Sequence, residues 1–138
     1  MSLYTTLNIV SSAMNAQTKK INTCAENLAN SETFIYENGK YLPYQAKKVV
    51  MKFNCFDKRN KLIGGIKSKV VESKEKKGKL IYNPDHIFAS KDGFVNYPNI
   101  DVISENINAM EAVRSYESNI SLLNTIKSMI LQTLSIGK

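Results

Sequence analysis

From Leu3 onward, apolar residues recur as Leu7, Val10, Met14, Ile21, Cys24 and Leu28; with Gln17 included, the steps are 4, 3, 4, 3, 4, 3, 4. This is the a/d spacing of a heptad kept up for nearly four repeats, and it predicts an amphipathic helix over residues 3–29. No Gly or Pro interrupts the stretch, and Asn30 supplies a stop signal. Gln17 is the single polar residue on the seam, a type that sets register at some cost in stability.

A second periodic stretch lies at the other end. Pro98-Asn99 opens it, and Asp101 and Glu105 place negative charge where a helix N-terminus favours it. Ile103, Ile107, Met110, Val113, Tyr116, Ile120, Leu123, Ile130 and Leu134 then fall on one stripe, with Gly137 as a closing signal. The predicted helix covers residues 101–136, with Glu111, Arg114, Ser118, Gln132 and Ser135 on its opposite side.

Between the helices the period drops to two. Val49, Met51, Phe53 and Cys55 alternate with Val50, Lys52, Asn54 and Phe56, which predicts a strand with one mainly apolar face. Asp57–Asn60 reads as a turn, and Leu62–Val71 as a second strand, with Gly64-Gly65 marking a bend or bulge. Leu80–Tyr82 is a short strand, Asn83-Pro84-Asp85 turns the chain, and Asp92-Gly93 before Phe94-Val95 marks one more hairpin element. The predicted fold is α+β. Residues 1–33 and 99–138 supply two long helices pairing as a coiled-coil-like, discontinuous domain, and a small β-rich middle, 34–98, is inserted between them.

Length decides what such helices are for. A compact chain of 138 residues is about 35–40 Å across. The predicted helices run about 40 and 54 Å, and each seam side chain contributes ~1.5–3 kcal/mol when buried. They can pair within the chain, bundle with other chains, or order only on docking. Terminal helices that outreach a small insert favour the last two arrangements, as in an assembly subunit.

The net charge of +7 points first to nucleic acid or an anionic membrane. By segment, residues 1–33 are neutral, 34–98 carry fourteen Lys/Arg against six Asp/Glu, and 99–138 three against four. The excess is therefore confined to the middle, densest over residues 67–79. Arg, the residue of bidentate base and phosphate contacts, occurs only twice, and Ile, Lys and Asn together make a third of the chain, a codon-composition signature. A solvated Lys-rich loop accounts for the charge. No apolar run approaches the ~18 residues of a membrane span, and no secretory signal pattern is expected at the N-terminus.

Catalytic patterns do not emerge. The chain has no Gly-rich phosphate loop, no His-Glu-x-x-His, no Cys-x-x-Cys and no Gly-x-Ser-x-Gly. His86, the single histidine, reads as a loop residue, and Cys24 and Cys55 as small buried apolar residues rather than nucleophiles. Glu105 and Glu111 fit a solvated helix face, and Tyr116 beside Arg114 a packing role. The expectation is no enzyme, no cofactor, no metal and no small-molecule substrate.

Ser12-Ala-Met-Asn-Ala-Gln17, Asn27-Leu-Ala-Asn30 and Thr33 together resemble the N-terminal motif shared by bacterial flagellar axial proteins. Tyr44-Gln-Ala-Lys-Lys-Val-Val50, Leu80-Ile-Tyr-Asn-Pro-Asp-His86, Asp92-Gly-Phe-Val95 and Pro98-Asn-Ile-Asp-Val102 are similar to a rod protein of that family. So are Arg114-Ser-Tyr-Glu-Ser-Asn-Ile120, Leu123–Met129 and the Leu134-x-x-Gly137 ending, so the likeness covers nearly the whole chain. It departs at Glu26 (commonly Asn), Gln45 (commonly Arg) and Ile87 (commonly Pro).

The resemblance implies a structural subunit of the proximal rod, assembling in the periplasm after export through the flagellar type III apparatus without a cleaved signal. It implies contacts with copies of itself and other rod proteins, through helices lining an inner tube with the β-rich middle outside. A head-to-tail contact that does not close gives such an open helix of subunits. The expected interface residues are Leu3, Leu7, Val10, Met14, Ile21 and Leu28 with Met110, Val113, Tyr116, Ile120, Leu123, Ile130 and Leu134. Asn27, Asn30 and Asn119 either add inter-helix hydrogen bonds or serve as caps and solvated polar positions. The competing readings are another rod or hook-type subunit and, from a different class, a Lys-rich module for nucleic acid or a membrane surface.

Overall fold

The computed structural model describes residues 3–37, 40–53, 64–73 and 78–136. Two helices bracket three β-hairpins, an α+β architecture in the predicted order: α1 (Leu3–Ala29), β1 (Phe34–Glu37), β2 (Lys40–Pro43), β3 (Lys47–Phe53), β4 (Ile66–Glu72), β5 (Lys79–Tyr82), β6 (Phe94–Tyr97) and α2 (Val102–Ile136). The strands pair as three separate antiparallel ladders, β1–β2, β3–β4 and β5–β6.

The helix boundaries follow from local chemistry. Asp101 is the N-cap of α2: its carboxylate accepts the Ile103 N–H at 3.2 Å and the Ser104 hydroxyl, while its carbonyl accepts the Glu105 N–H at 2.9 Å. At the end of α1 the Glu26 carbonyl accepts both the Asn30 side-chain amide at 2.8 Å and the Asn30 backbone N–H at 3.1 Å, which closes the last turn.

The two helices pack on each other within the chain, so intrachain pairing is present rather than helices left wholly for partners. They run antiparallel: Lys20 lies 3.8 Å from Glu111, and one turn further along α1 the Cys24 thiol bonds to Glu105, earlier on α2. α1 is also packed against the β3–β4 hairpin. The core is small, drawn from Val10, Ala16, Cys24, Tyr44, Val95, Ala112 and Ile126.

Three differences from the sequence-based expectation concern the middle. The β1–β2 hairpin was not predicted, although Asn38-Gly39 between β-formers is its signal. Strand β4 begins at Ile66, directly after Gly64-Gly65, which both have positive φ (63° and 126°), outside the extended region; residues 62 and 63 of the expected strand lie outside the described residues. The loop between β5 and β6 turns back so that Phe34, His86, Phe88 and Tyr97 stack, with ring centroids 4.9–5.9 Å apart. The predicted turn at 57–60, Cys55 and residues 74–77 of the Lys-rich run over 67–79 lie outside the described residues.

Candidate assembly interface

α1 has two working faces. On one, Ser12, Lys19 and Asn27 meet the hairpin: Ser12 Oγ accepts the Ile66 N–H at 2.9 Å, and the Lys19 ammonium reaches the Ser68 carbonyl at 3.4 Å. Asn27 is 1% exposed and pairs with β3 through both ends of its amide, donating to the Lys47 carbonyl at 2.7 Å and accepting the Lys47 N–H at 2.9 Å. On the neighbouring face, Val10 and Cys24 are buried and Leu7, Met14, Gln17, Ile21 and Leu28 half-buried, while Leu3 is exposed.

On α2 the shielded positions recur at 105, 109, 112, 116, 119, 123, 126 and 130, a heptad pattern flanked by half-buried Asn108. Among the described elements α1 is the one that packs extensively on α2, so this seam faces α1. The predicted single stripe is therefore split. Tyr116, Leu123 and Ile130 lie on the inward seam, joined by Ala112 and Ile126, which sequence reading missed and which are 1% and 6% exposed. Met110 (58% exposed), Val113 and Ile120 face away from the seam, as do Ile103 and Ile107, while Leu134, four positions after Ile130, is 66% exposed where α2 outreaches α1.

The physical reason is that α2 carries large aliphatic side chains around most of its circumference. Leu122, Met129, Leu131 and Ile136 are exposed as well. A helix apolar on several sides has no single preferred face, and small residues decide which side approaches a partner: Ala109 and Ala112 let α1 come close. Continuing the antiparallel register from Lys20 beside Glu111 puts Leu3 beside about residue 128. The last two turns of α2 then extend past the described part of α1 with Met129, Leu131, Leu134 and Ile136 uncovered.

The asparagines divide differently from the inter-helix expectation. Asn27 bonds to β3 and Asn30 to its own helix, because both sit at the C-terminal end of α1, where the chain turns into the β-rich middle. Asn119 is on the inward seam, beside a notch shared with Ala13 and Gln17. In that notch the buried Gln17 Oε1 accepts no hydrogen bond.

The titratable groups serve packing. Burial and the hydrogen bond to the Glu105 carboxylate push the Cys24 thiol up to about 11, so it is a neutral thiol at physiological pH. Burial also raises the Tyr44 phenol, whose hydroxyl lies 3.5 Å from Asn27 Oδ1. Glu105 engages Cys24 and Glu111 faces Lys20, so the two carboxylates do not pair. His86 Nδ1 accepts the Phe88 N–H at 3.2 Å in its aromatic cluster. Among the described residues no group of three His, Cys, Asp or Glu is placed to hold a metal ion, and no helix is long and apolar enough to cross a membrane.

Comparison with known proteins adds to this geometry. Residues 91–136 match the profile of the flagellar basal body rod FlgEFG protein C-terminal family, a span that includes all of α2. Curated relatives align over 100% of both chains: the flagellar basal-body rod protein FlgC of Buchnera aphidicola subsp. Schizaphis graminum is 46% identical, that of Salmonella typhimurium 40%, and that of Yersinia enterocolitica 35%. At that identity over full length, this chain belongs to the FlgC family of flagellar basal-body rod proteins.

Proposed function

We propose that this chain is a structural subunit of the proximal rod of the flagellar basal body, polymerising through its terminal helices into the drive shaft and export tube that spans the periplasm. The supporting observation is the outward face of α2. A helix already packed on α1 keeps Met110, Val113, Ile120, Leu131 and Leu134 in water, and its last two turns have no described partner. Apolar surface of this extent is retained when another chain covers it. The first and last segments, 1–33 and 99–138, act as one helical assembly domain and 34–98 as the part outside it. Copies of this chain, other rod proteins and the type III export apparatus are its partners, and it passes that apparatus without a cleaved signal. Its role is scaffolding, with no reaction catalysed.

Replacement of the chromosomal copy in a flagellated relative tests this. Purified basal bodies carrying this chain in the rod, with motility restored, are the expected result. Soluble periplasmic or cytoplasmic accumulation with rods missing overturns it.

A further inference from the structure

We propose that the groove between α1 and the β3–β4 hairpin receives the outward face of the first half of α2 from a second copy of this chain. This rests on the assembly reading and names the counterpart of that face.

The groove is an open cavity of about 690 Å³ with Val50, Ile66 and Val71 among its walls. Lys19, Lys52, Lys67 and Lys69 rim it, and among the described residues no carboxylate lines it. Two of these lysines are placed against each other: Lys52 and Lys67 stand directly opposite across the ladder. Like charges at opposed positions destabilise an isolated hairpin, and an acidic partner removes the penalty. An apolar wall with a cationic rim calls for aliphatic side chains flanked by carboxylate.

The chain carries that surface itself. Met110, Val113 and Ile120 are exposed on α2, and Glu117 falls between them on the same stripe at heptad spacing. Glu117 is the carboxylate of that face, since Asp101, Glu105 and Glu111 are engaged within the chain by Ser104, Cys24 and Lys20. The lengths agree, since the groove follows α1 from Ser12 to Lys19, two turns, and Met110 to Glu117 is also two turns. Groove and helix face are different surfaces of one chain, so the contact is head-to-tail and propagates as an open helix instead of closing on itself. A phosphate backbone fits less well, because it leaves the valine and isoleucine wall uncovered.

Two single charge reversals test the pairing. Lys67→Glu makes Lys52 and residue 67 an attractive cross-strand pair, so the hairpin keeps or gains stability while the groove loses its match. Glu117→Lys does the converse on an exposed helix position. In sedimentation velocity from micromolar to near-millimolar concentration, with far-UV circular dichroism showing the helices retained, each variant alone self-associates about tenfold or more weakly than the natural chain. An equal mixture recovers, because the carboxylate introduced at position 67 meets the ammonium introduced at position 117, and the natural groove of one variant meets the natural helix of the other. Either variant associating like the natural chain, or a mixture no stronger than its components, overturns the proposal while the assembly reading stands. A natural chain that stays monomeric throughout defeats both. Duplex DNA bound by the natural chain and lost in Lys67→Glu, with self-association unchanged, reassigns the groove to nucleic acid.

Discussion

The side-chain amide of Asn27 closes a two-point pairing with the backbone of Lys47, donating to its carbonyl and accepting its N–H. It occupies the outer edge of β3 as a further strand would, and so ties the last turn of α1 to the β-rich middle. The Glu26 carboxylate meets the Lys47 ammonium beside it, which raises that ammonium's pKa through the hydrogen bond. The position is one helical residue from the apolar seam, where it serves a different partner from Leu28.

Asn27→Ala leaves the Lys47 N–H and C=O without partners in a half-buried site. A loss of about 1–3 kcal/mol is expected in urea denaturation, with α1 and α2 still helical by circular dichroism. An unchanged midpoint refutes the edge-closing role.

Ile120 and Ile126 sit six positions apart on α2 but on different faces, Ile126 buried against α1 and Ile120 outward. Ile126→Asp buries an unpaired charge and is expected to lose several kcal/mol of monomer stability. Ile120→Asp is expected to change stability little and to block incorporation into rods. Leu123→Asp should behave as Ile126→Asp, since Leu123 is on the inward seam. Equal effects of Ile120→Asp and Ile126→Asp on thermal unfolding contradict the split.

Cys24 is a reporter of helix pairing. With its thiol pushed up to about 11, alkylation by iodoacetamide at pH 8 is expected to be far slower than for a free thiol in a Cys55→Ser chain. Denaturant, or Ile126→Asp, restores ordinary reactivity. Because the folded pKa is raised, the neutral thiol supports folding below the unfolded thiol's ordinary range, and this contribution is lost as pH rises towards 11. Rapid labelling of the native chain at pH 8 would show that the α1–α2 contact at Cys24 is open.

Asp101 provides the acid-side counterpart. The Ser104 hydroxyl first, then the Ile103 N–H, hold its carboxyl below the ordinary value of 3.8. A depressed carboxylate adds stability that is complete above the unfolded pKa and is lost as pH falls through the folded one. Fraying of the first turn of α2 is expected only under strongly acidic conditions, and Asp101→Asn, which keeps a capping side chain, should flatten that part of the pH profile. An unchanged profile in Asp101→Asn removes Asp101 from the acid response.

Gly65 tests the backbone at the hairpin entrance. Its φ of 126° is one that side-chain-bearing residues rarely adopt, so Gly65→Ala is expected to cost about 1–3 kcal/mol in denaturation. Stability equal to the natural chain means that the turn into β4 relaxes without strain.

Much of this protein was determined by the sequence alone. The heptad from Leu3 to Leu28, the Asp101 cap and the Gly- and Pro-free periodic stretch behind it dictate two long helices, because those signals act within a few turns of chain. Alternation over Val49–Phe53 dictates a strand for the same reason. What only the tertiary structure decided was the use of each face. The side of α2 that meets α1 was set by where Ala109 and Ala112 permit close approach, and helical periodicity cannot rank faces when aliphatic residues surround the axis. Asn27 reads equally well as a cap, a solvated residue or an inter-helix contact until β3 is seen to place Lys47 against it. The opposition of Lys52 and Lys67 likewise depends on register, a relation between residues fifteen apart that is settled by how the hairpin closes and packs along α1.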